Sequence, residues 1–216
     1  MPIRAIATAA LLLLTTAPGF AEEIGCEGVF NQNATLADFE AAFGKENVVT
    51  GEVPGPEGTT MVATTVYPND PERTMQLRWW DEENVKYFAG LTLAKGDTGP
   101  GGVKLGMPIE EVQAINGEPF TLFGFFWDYG GSAGFDAGKL ADLPGGCFLN
   151  LHFYPTLDPL PEDISSAISG DIELRSDMPE VLAAKVVVDE INVGFPYPPE
   201  LEGEMAGEGE GEGASE

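Results

Sequence analysis

The chain is poor in the residues that build metal centres and catalytic bases. Its 216 residues include one histidine and two cysteines. A structural zinc ion takes four such ligands, so we expect neither a metal site nor a cofactor. His152 lies in the apolar stretch 148–154 and is expected to be a packed or edge residue rather than a base. No serine lies in a nucleophile-elbow sequence, and no glycine-rich segment has the strand-to-helix order that phosphate binding requires.

Positive charge is scarce as well. Lysine and arginine total 10 against 36 aspartates and glutamates, which gives a formal net charge of −26. A field of this sign repels nucleic acid and anionic lipid. It is typical of a protein with cationic partners or of a source that lives in high salt, and the sequence leaves both open. Acidic residues are so abundant that no catalytic carboxylate pair can be singled out.

The most apolar segment, Ala5–Leu14, is too short to cross a bilayer, which takes about 20 residues. It follows Arg4 and precedes the helix-breaking Pro18, an order typical of a secretory signal peptide. We therefore predict a signal peptide over residues 1–21, cleaved near Ala21. The expected location is the periplasm or the exterior of the cell, without a stable membrane anchor.

Cys26 and Cys147 are an even number of cysteines in a chain predicted to be secreted. That context predicts one disulfide. It would close a loop of about 120 residues, which stabilises the folded state by roughly 4–5 kcal/mol in the chain-entropy model.

A helix and several strands are predicted in the first half. Thr35 can cap a helix over 34–44, with Asp38 in a capping-box position and Gly44 at its end. Residues 74–80 alternate, so that one face carries Met75, Leu77 and Trp79 and the other Gln76, Arg78 and Trp80. Further strands are predicted at 60–67 and 85–94, followed by a turn-rich linker at 97–102.

The pattern then repeats. Gly106-Met107-Pro108 opens a second helix, with the proline at its first position, and Gly117 ends it. A shift of 73 residues lays Leu36 on Ile109 and Gly44 on Gly117. This self-similarity indicates a duplicated unit, and chance similarity between two short amphipathic helices is the alternative.

We therefore predict an α+β fold of short helices packed on antiparallel sheet, in two tandem units over 22–102 and 103–199. The Gly/Glu-rich residues 200–216 are predicted to form a disordered acidic tail. The later elements of the second unit are a strand at 148–154, a short helix at 162–168 and a strand at 184–195.

The segment Val103-Lys104-Leu105-Gly106-Met107-Pro108-Ile109-Glu110-Glu111-Val112, closing at Asn116-Gly117-Glu118-Pro119, resembles the helix-opening motif of the β-lactamase-inhibitor-protein-like superfamily. It is also similar to the small outer-membrane-assembly lipoproteins of the SmpA/OmlA type. The resemblance implies tandem helix-plus-sheet units over Ala34–Pro199 that build a concave, aromatic-rich surface. The chain departs from the lipoproteins because Cys26 lacks a lipid-attachment context, so no partner carries over.

Residues 120–134 combine six aromatic side chains with four glycines. Aromatic rings are preferred anchors of binding surfaces, but the same rings can fill a core, and the sequence leaves both open. We expect part of the stretch to pack while Trp127, Asp128 and Tyr129 face solvent. Asp128 is expected to cap a turn rather than bind calcium. The candidate binding residues are Trp79, Trp80, Tyr87, Trp127, Asp128 and Tyr129.

The first functional hypothesis is a protein-binding or inhibitor-like module with an aromatic recognition face. Its partner would be another envelope or secreted protein. The alternatives are an envelope hydrolase that uses paired carboxylates and a small-ligand or cation-binding protein. A deep cleft with a close pair of buried carboxylates would favour the hydrolase. A shallow aromatic face without such a pair would favour the binding module, which the sequence prefers over an enzyme.

Overall fold

The computed structural model describes residues 23–55 and 58–201. The predicted signal peptide and residues 202–216 of the predicted tail lie outside the described residues. The predicted α+β class is confirmed. The helices are α1 (Leu36–Phe43), α2 (Ile109–Asn116), α3 (Glu162–Ile168) and α4 (Pro179–Ala183). The strands are β1 (Val48–Pro54), β2 (Thr60–Val66), β3 (Met75–Asp81), β4 (Lys86–Thr92), β5 (Thr121–Phe123), β6 (Ser132–Ala133), β7 (Phe148–Pro155), β8 (Glu173–Arg175) and β9 (Val186–Gly194).

Local sequence signals fix the ends of the first two helices. Thr35 and Asp38 form a complete capping box at the start of α1, since each side chain accepts a hydrogen bond from the other residue's backbone N–H. Gly117 ends α2 in the left-handed conformation that glycine adopts without strain. Pro108 occupies the N-cap of α2 rather than its first position, because its extended backbone (ψ 144°) precedes the first helical turn.

Seven strands form one antiparallel sheet in the order β1-β2-β3-β4-β9-β7-β6, and β5 pairs with β8 in a separate two-stranded sheet. The strands of the first half follow one another in chain order. The junction between the halves is the pair β4 and β9, where Leu91 lies opposite Val193. The two predicted units therefore share a single sheet. β1 and β6 are its edges, and no described strand pairs with the outer side of β1.

The helices and the small sheet cover one face of the large sheet. Phe39 of α1 is fully buried, and its ring meets the rings of Trp79 and Phe88 edge-on. At the other end, Phe120 stacks on Phe153 of β7. The core thus follows the alternation of the strands: Leu77, Leu91, Leu149, Leu151, Phe153, Ile191 and Val193 all point toward it.

The two halves correspond in detail. α1 and α2 each have eight residues and begin 73 positions apart, at Leu36 and Ile109. The β3–β4 ladder has a bulge after Arg78, and the β7–β9 ladder has one after His152, 74 positions later. Bulges are specific features of a strand pair, so both helices and both bulges match the predicted repeat. The tandem duplication itself stays a prediction.

The predicted disulfide joins Cys26 to Cys147, whose Cα atoms are 5.7 Å apart. It ties the N-terminal segment to the start of β7. At the other end the structure corrects the tail boundary. Glu200 and Leu201 belong to a final turn, Pro199–Leu201, and Leu201 is buried. Its apolar side chain joins the fold, so the predicted tail at 200 starts too early.

Candidate binding face

One face of the seven-stranded sheet is not covered by helices, and we call it the open face. Burial alternates along β3 and β7, with every second side chain buried and those between them half-buried or exposed. The open face of β3 carries Gln76, Arg78 and Trp80. That of β7 carries Phe148, Asn150, His152 and Tyr154, which extend over about 20 Å at the usual rise of a strand.

The register aligns these residues into two rows across the junction of the halves. The first row runs from Arg78 through Gly90 and Gly194 to Phe148. Because two glycines occupy its centre, no side chain rises between Arg78 and Phe148, whose Cα atoms are about 14 Å apart at normal strand spacing. The second row consists of Gln76, Thr92, Asn192 and Asn150.

A depression of about 820 Å³ lies on this part of the open face, and we call it the Arg78 depression. Phe148 is 51% exposed and its ring lies over Gly194 where a Cβ atom would otherwise stand. Trp80 contacts the ring of Tyr197 edge-on at 5.1 Å between centroids. The depression is lined by Gln76, Arg78, Trp80, Phe148, Asn150 and Asn192, among others.

Arg78 is held in place by neutral groups. Its Nη1 donates to Thr92 Oγ1 at 2.8 Å and to Asn192 Oδ1 at 3.1 Å, and the Thr92 hydroxyl donates to the same Asn192 oxygen at 2.6 Å. Burial lowers the pKa of the Arg78 guanidinium from its ordinary value, and the negative charge of Glu190 opposes that effect. No carboxylate of the described chain forms an ion pair with Arg78 within 4.0 Å.

A second group of side chains lies at the β6 edge of the large sheet, and we call it the aromatic patch: Phe123, Phe126, Trp127, Tyr129 and Tyr154. Tyr129 is 57% exposed and Phe126 is 53% exposed. Trp127 contacts both Phe123 and Tyr129 edge-on, and Phe126 contacts Tyr154 edge-on. The indole N–H of Trp127 donates to Gly124 O at 2.8 Å, so the loop presents its rings in a fixed arrangement.

Phe126 adopts a left-handed backbone conformation with φ 64°. A residue with a Cβ atom is strained in this region, and such strain concentrates at functional sites. The preceding Phe125 is buried, so the turn separates a ring that packs in the core from one that faces solvent. If the loop only filled the core, the strained backbone that holds the exposed Phe126 ring would have no explanation.

The structure places the six predicted binding residues in three different settings. Trp79 is a correction: it is 3% exposed and donates its indole N–H to Thr64 Oγ1 at 3.0 Å, so it belongs to the core. Its position on β3 matches Met75 and Leu77, which also face the helices. Trp80 and Tyr87 are partly exposed in the first half. Trp127, Asp128 and Tyr129 lie together in the exposed loop, with Trp127 half-buried.

Arg78, Phe148 and Asn192 were not singled out as site residues in the sequence. They converge only because β4 pairs with β9 and β9 with β7, which brings together positions up to 114 residues apart. The sequence contains one indication of the role of Arg78. Arg78 occupies the polar face of the alternating strand 74–80, between Gln76 and Trp80.

The described residues lack the features that would indicate other kinds of site. No aspartate or glutamate among them is buried. They contain no group of three or more His, Cys, Asp or Glu side chains placed to hold a metal ion. None of their helices is long and apolar enough to cross a membrane.

Comparison with protein-family models, with characterised proteins and with solved structures finds no match for this chain. Its function is therefore inferred from the arrangement of its own residues.

Proposed function

We propose that this chain is a binding module that recognises another envelope or secreted protein through the aromatic patch. The observation that carries the proposal is a group of largely exposed rings, in which Trp127 contacts Phe123 and Tyr129 while Phe126 contacts Tyr154. Tyrosine and tryptophan supply large contact area at little conformational cost, which makes them the usual anchors of protein interfaces. The resemblance of residues 103–119 to the β-lactamase-inhibitor-protein-like motif supports the same kind of function.

The surroundings of the patch define the chemistry of its partner. Asp128 lies within the loop, and Glu173 lies opposite Phe123 in the β5–β8 ladder, both exposed. An apolar centre with a charged rim is the usual anatomy of an interface. With a net charge of −26, the complementary partner carries an apolar pocket rimmed by lysine or arginine. Association should therefore slow as ionic strength rises.

The proposal is tested in two stages. The mature protein captures partners from a periplasmic extract, and the retained protein is identified and purified. Its Kd is then measured against the parent chain, Tyr129→Ala and the control Val49→Ala. Val49 is 50% exposed on β1, at the opposite edge of the sheet. Loss of an anchor ring typically costs about 2 kcal/mol of binding, so Tyr129→Ala should raise Kd roughly 30-fold while Val49→Ala leaves it unchanged. Equal Kd values for all three proteins would reject the patch as the interface.

Phe126→Gly separates binding from folding. Glycine accepts the left-handed conformation without strain, so removal of the ring should leave the melting temperature within about 3 °C of the parent. The same change deletes an exposed anchor and should weaken partner binding. A large fall in melting temperature without a binding defect would show that Phe126 serves the fold.

The hydrolase alternative required a close pair of buried carboxylates, and the described residues offer none. The small-ligand alternative has a specific observation in its favour, the Arg78 depression.

A further inference from the structure

The Arg78 guanidinium has one edge in use and one edge free. Its two Nη1 hydrogens are directed to Thr92 and Asn192. Nε and Nη2 make no hydrogen bond within the described chain, and neither atom is fully buried. These two atoms form the edge of an arginine that binds a carboxylate through two parallel hydrogen bonds.

The free edge is pre-oriented. Thr92 on β4 lies directly opposite Asn192 on β9. The guanidinium is therefore fixed by one residue from each half of the chain. A ligand that meets a side chain already fixed in its bound orientation does not bear the cost of ordering it. The side-chain amides of Gln76 and Asn150 also lack partners within the described residues and line the same space.

Charge restricts the ligand to a single carboxylate. Among the described residues, Arg78 is the only lysine or arginine that lines the depression, and Glu190 and Glu82 line it as well. Glu82 Oε2 accepts the Val62 N–H at 2.7 Å, and Glu190 Oε1 accepts the Asn192 side-chain N–H at 2.7 Å. A polyanion would meet these two carboxylates and the net charge of −26 with one cation to offset them.

The remaining walls are apolar. The exposed ring of Phe148 lies over Gly194 in the same row as Arg78, and Trp80 lies two residues after Arg78 on β3. The volume of about 820 Å³ is in the range of small-molecule sites. Offset stacking on Phe148 would hold an aromatic or apolar group while the guanidinium holds the acid.

We propose that the Arg78 depression binds a carboxylate that carries an adjacent aromatic or apolar group. The carboxylate takes the Nε and Nη2 edge of Arg78, and the apolar group lies on Phe148. This site shares no residue with the aromatic patch and does not depend on the protein partner proposed above.

The test uses matched probes that differ only in charge. N-acetyl-phenylalanine and its amide are titrated by calorimetry, as are alanyl-alanyl-phenylalanine with a free and with an amidated C-terminus. We expect each acid to bind at least ten-fold more tightly than its amide. Tighter binding of the tripeptide acid would identify the C-terminus of a polypeptide as the source of the carboxylate. Equal binding of both acids would identify a small molecule as the source. Equal binding of acid and amide, or no binding of any probe, would overturn the proposal.

Four variants, two of them controls, locate the site. Arg78→Gln should remove the difference between acid and amide, while the control Arg175→Gln, which removes an exposed cation paired with Asp177, should preserve it. Glu190→Gln keeps the acceptor for Asn192 and removes a competing charge, so it should tighten acid binding several-fold. The tighter acid binding expected for Glu190→Gln tests the site even if the Arg78→Gln variant does not fold. Tyr129→Ala should leave probe binding unchanged, so failure of this site and failure of the protein interface are told apart. Probe binding that is indifferent to Arg78→Gln and Glu190→Gln would also overturn the proposal.

Discussion

Asp97 gives the stability of the protein a defined response to pH. Partial burial raises the pKa of its carboxyl group above the ordinary value, although the Ala94 N–H and the charge of Arg73 act in the opposite direction. A raised pKa in the folded state means that folding favours the protonated form. This contribution to stability therefore grows as pH falls through the folded pKa toward the ordinary aspartate value, about 3.9.

Asp97→Asn should stabilise the protein at pH 7, because asparagine keeps an acceptor for the Ala94 N–H and removes a partly desolvated charge. The advantage should shrink as pH falls toward the ordinary aspartate range, because the Asp97 carboxyl takes up its proton as pH falls. Melting temperatures between pH 4 and pH 7 measure it. Asp142→Asn removes an exposed charge and serves as the control for net charge. A stabilisation that does not vary with pH would contradict the assignment to Asp97.

Single residues also show what the sequence could reveal about the site. The alternation along 74–80 puts Trp79 on the same face as Leu77, which is the buried face. Only the residue type, tryptophan, favours a binding role for it. Exposure of Tyr129 followed from its loop setting among glycines. Arg78 could not be identified, because a site residue on a sheet is defined by its neighbours on other strands.

At the level of elements, the seam between β4 and β9 depends on a close backbone approach. Gly90 has φ 144°, and a Cβ atom there would collide with the backbone of Val193 and Gly194. Gly51 on β1 has no atom within 4 Å of the corresponding position. Substitution by alanine therefore introduces a steric clash at Gly90 and meets open space at Gly51.

Gly90→Ala should destabilise the fold by about 3 kcal/mol, at the upper end of the cost of overpacking, which lowers the melting temperature by roughly 5–10 °C for a chain of this size. Gly51→Ala should be neutral or slightly stabilising, since alanine loses less chain entropy than glycine on folding. Thermal melts of both variants measure this difference in stability. Similar melting temperatures for the two would show that the seam relaxes freely.

Elements with strong local signals were predictable and the others were not. The capping box located α1, and α3 occupies the predicted 162–168. β1 was missed because Gly51 and Pro54 interrupt an edge strand that buries almost nothing. β5, β6 and β8 have two or three residues each, too few to show a period. Such strands form because the rest of the fold positions them.

At the scale of the whole molecule, the disulfide links residues 121 positions apart. A loop of this length loses much entropy when closed, so the bond should contribute roughly 4–5 kcal/mol in the chain-entropy model. Reduction should lower the melting temperature by about 10 °C. The denatured, unreduced protein should titrate no free thiol, and the double variant Cys26→Ser, Cys147→Ser should melt at one temperature with or without reductant. An unchanged melting temperature on reduction of the parent would contradict the prediction.

No strand among the described residues pairs with the outer side of β1, and this has a consequence for the protein in solution. A bare strand edge is a template on which another chain can add its own strand. At neutral pH the net charge of −26 holds copies apart. That repulsion vanishes near the isoelectric point, about pH 4.1. Charge then no longer keeps other copies away from the outer edge of β1. The acidity of the chain thus acts as a colloidal stabiliser, and acidified samples are where edge-to-edge fibres or precipitates of this protein are to be sought.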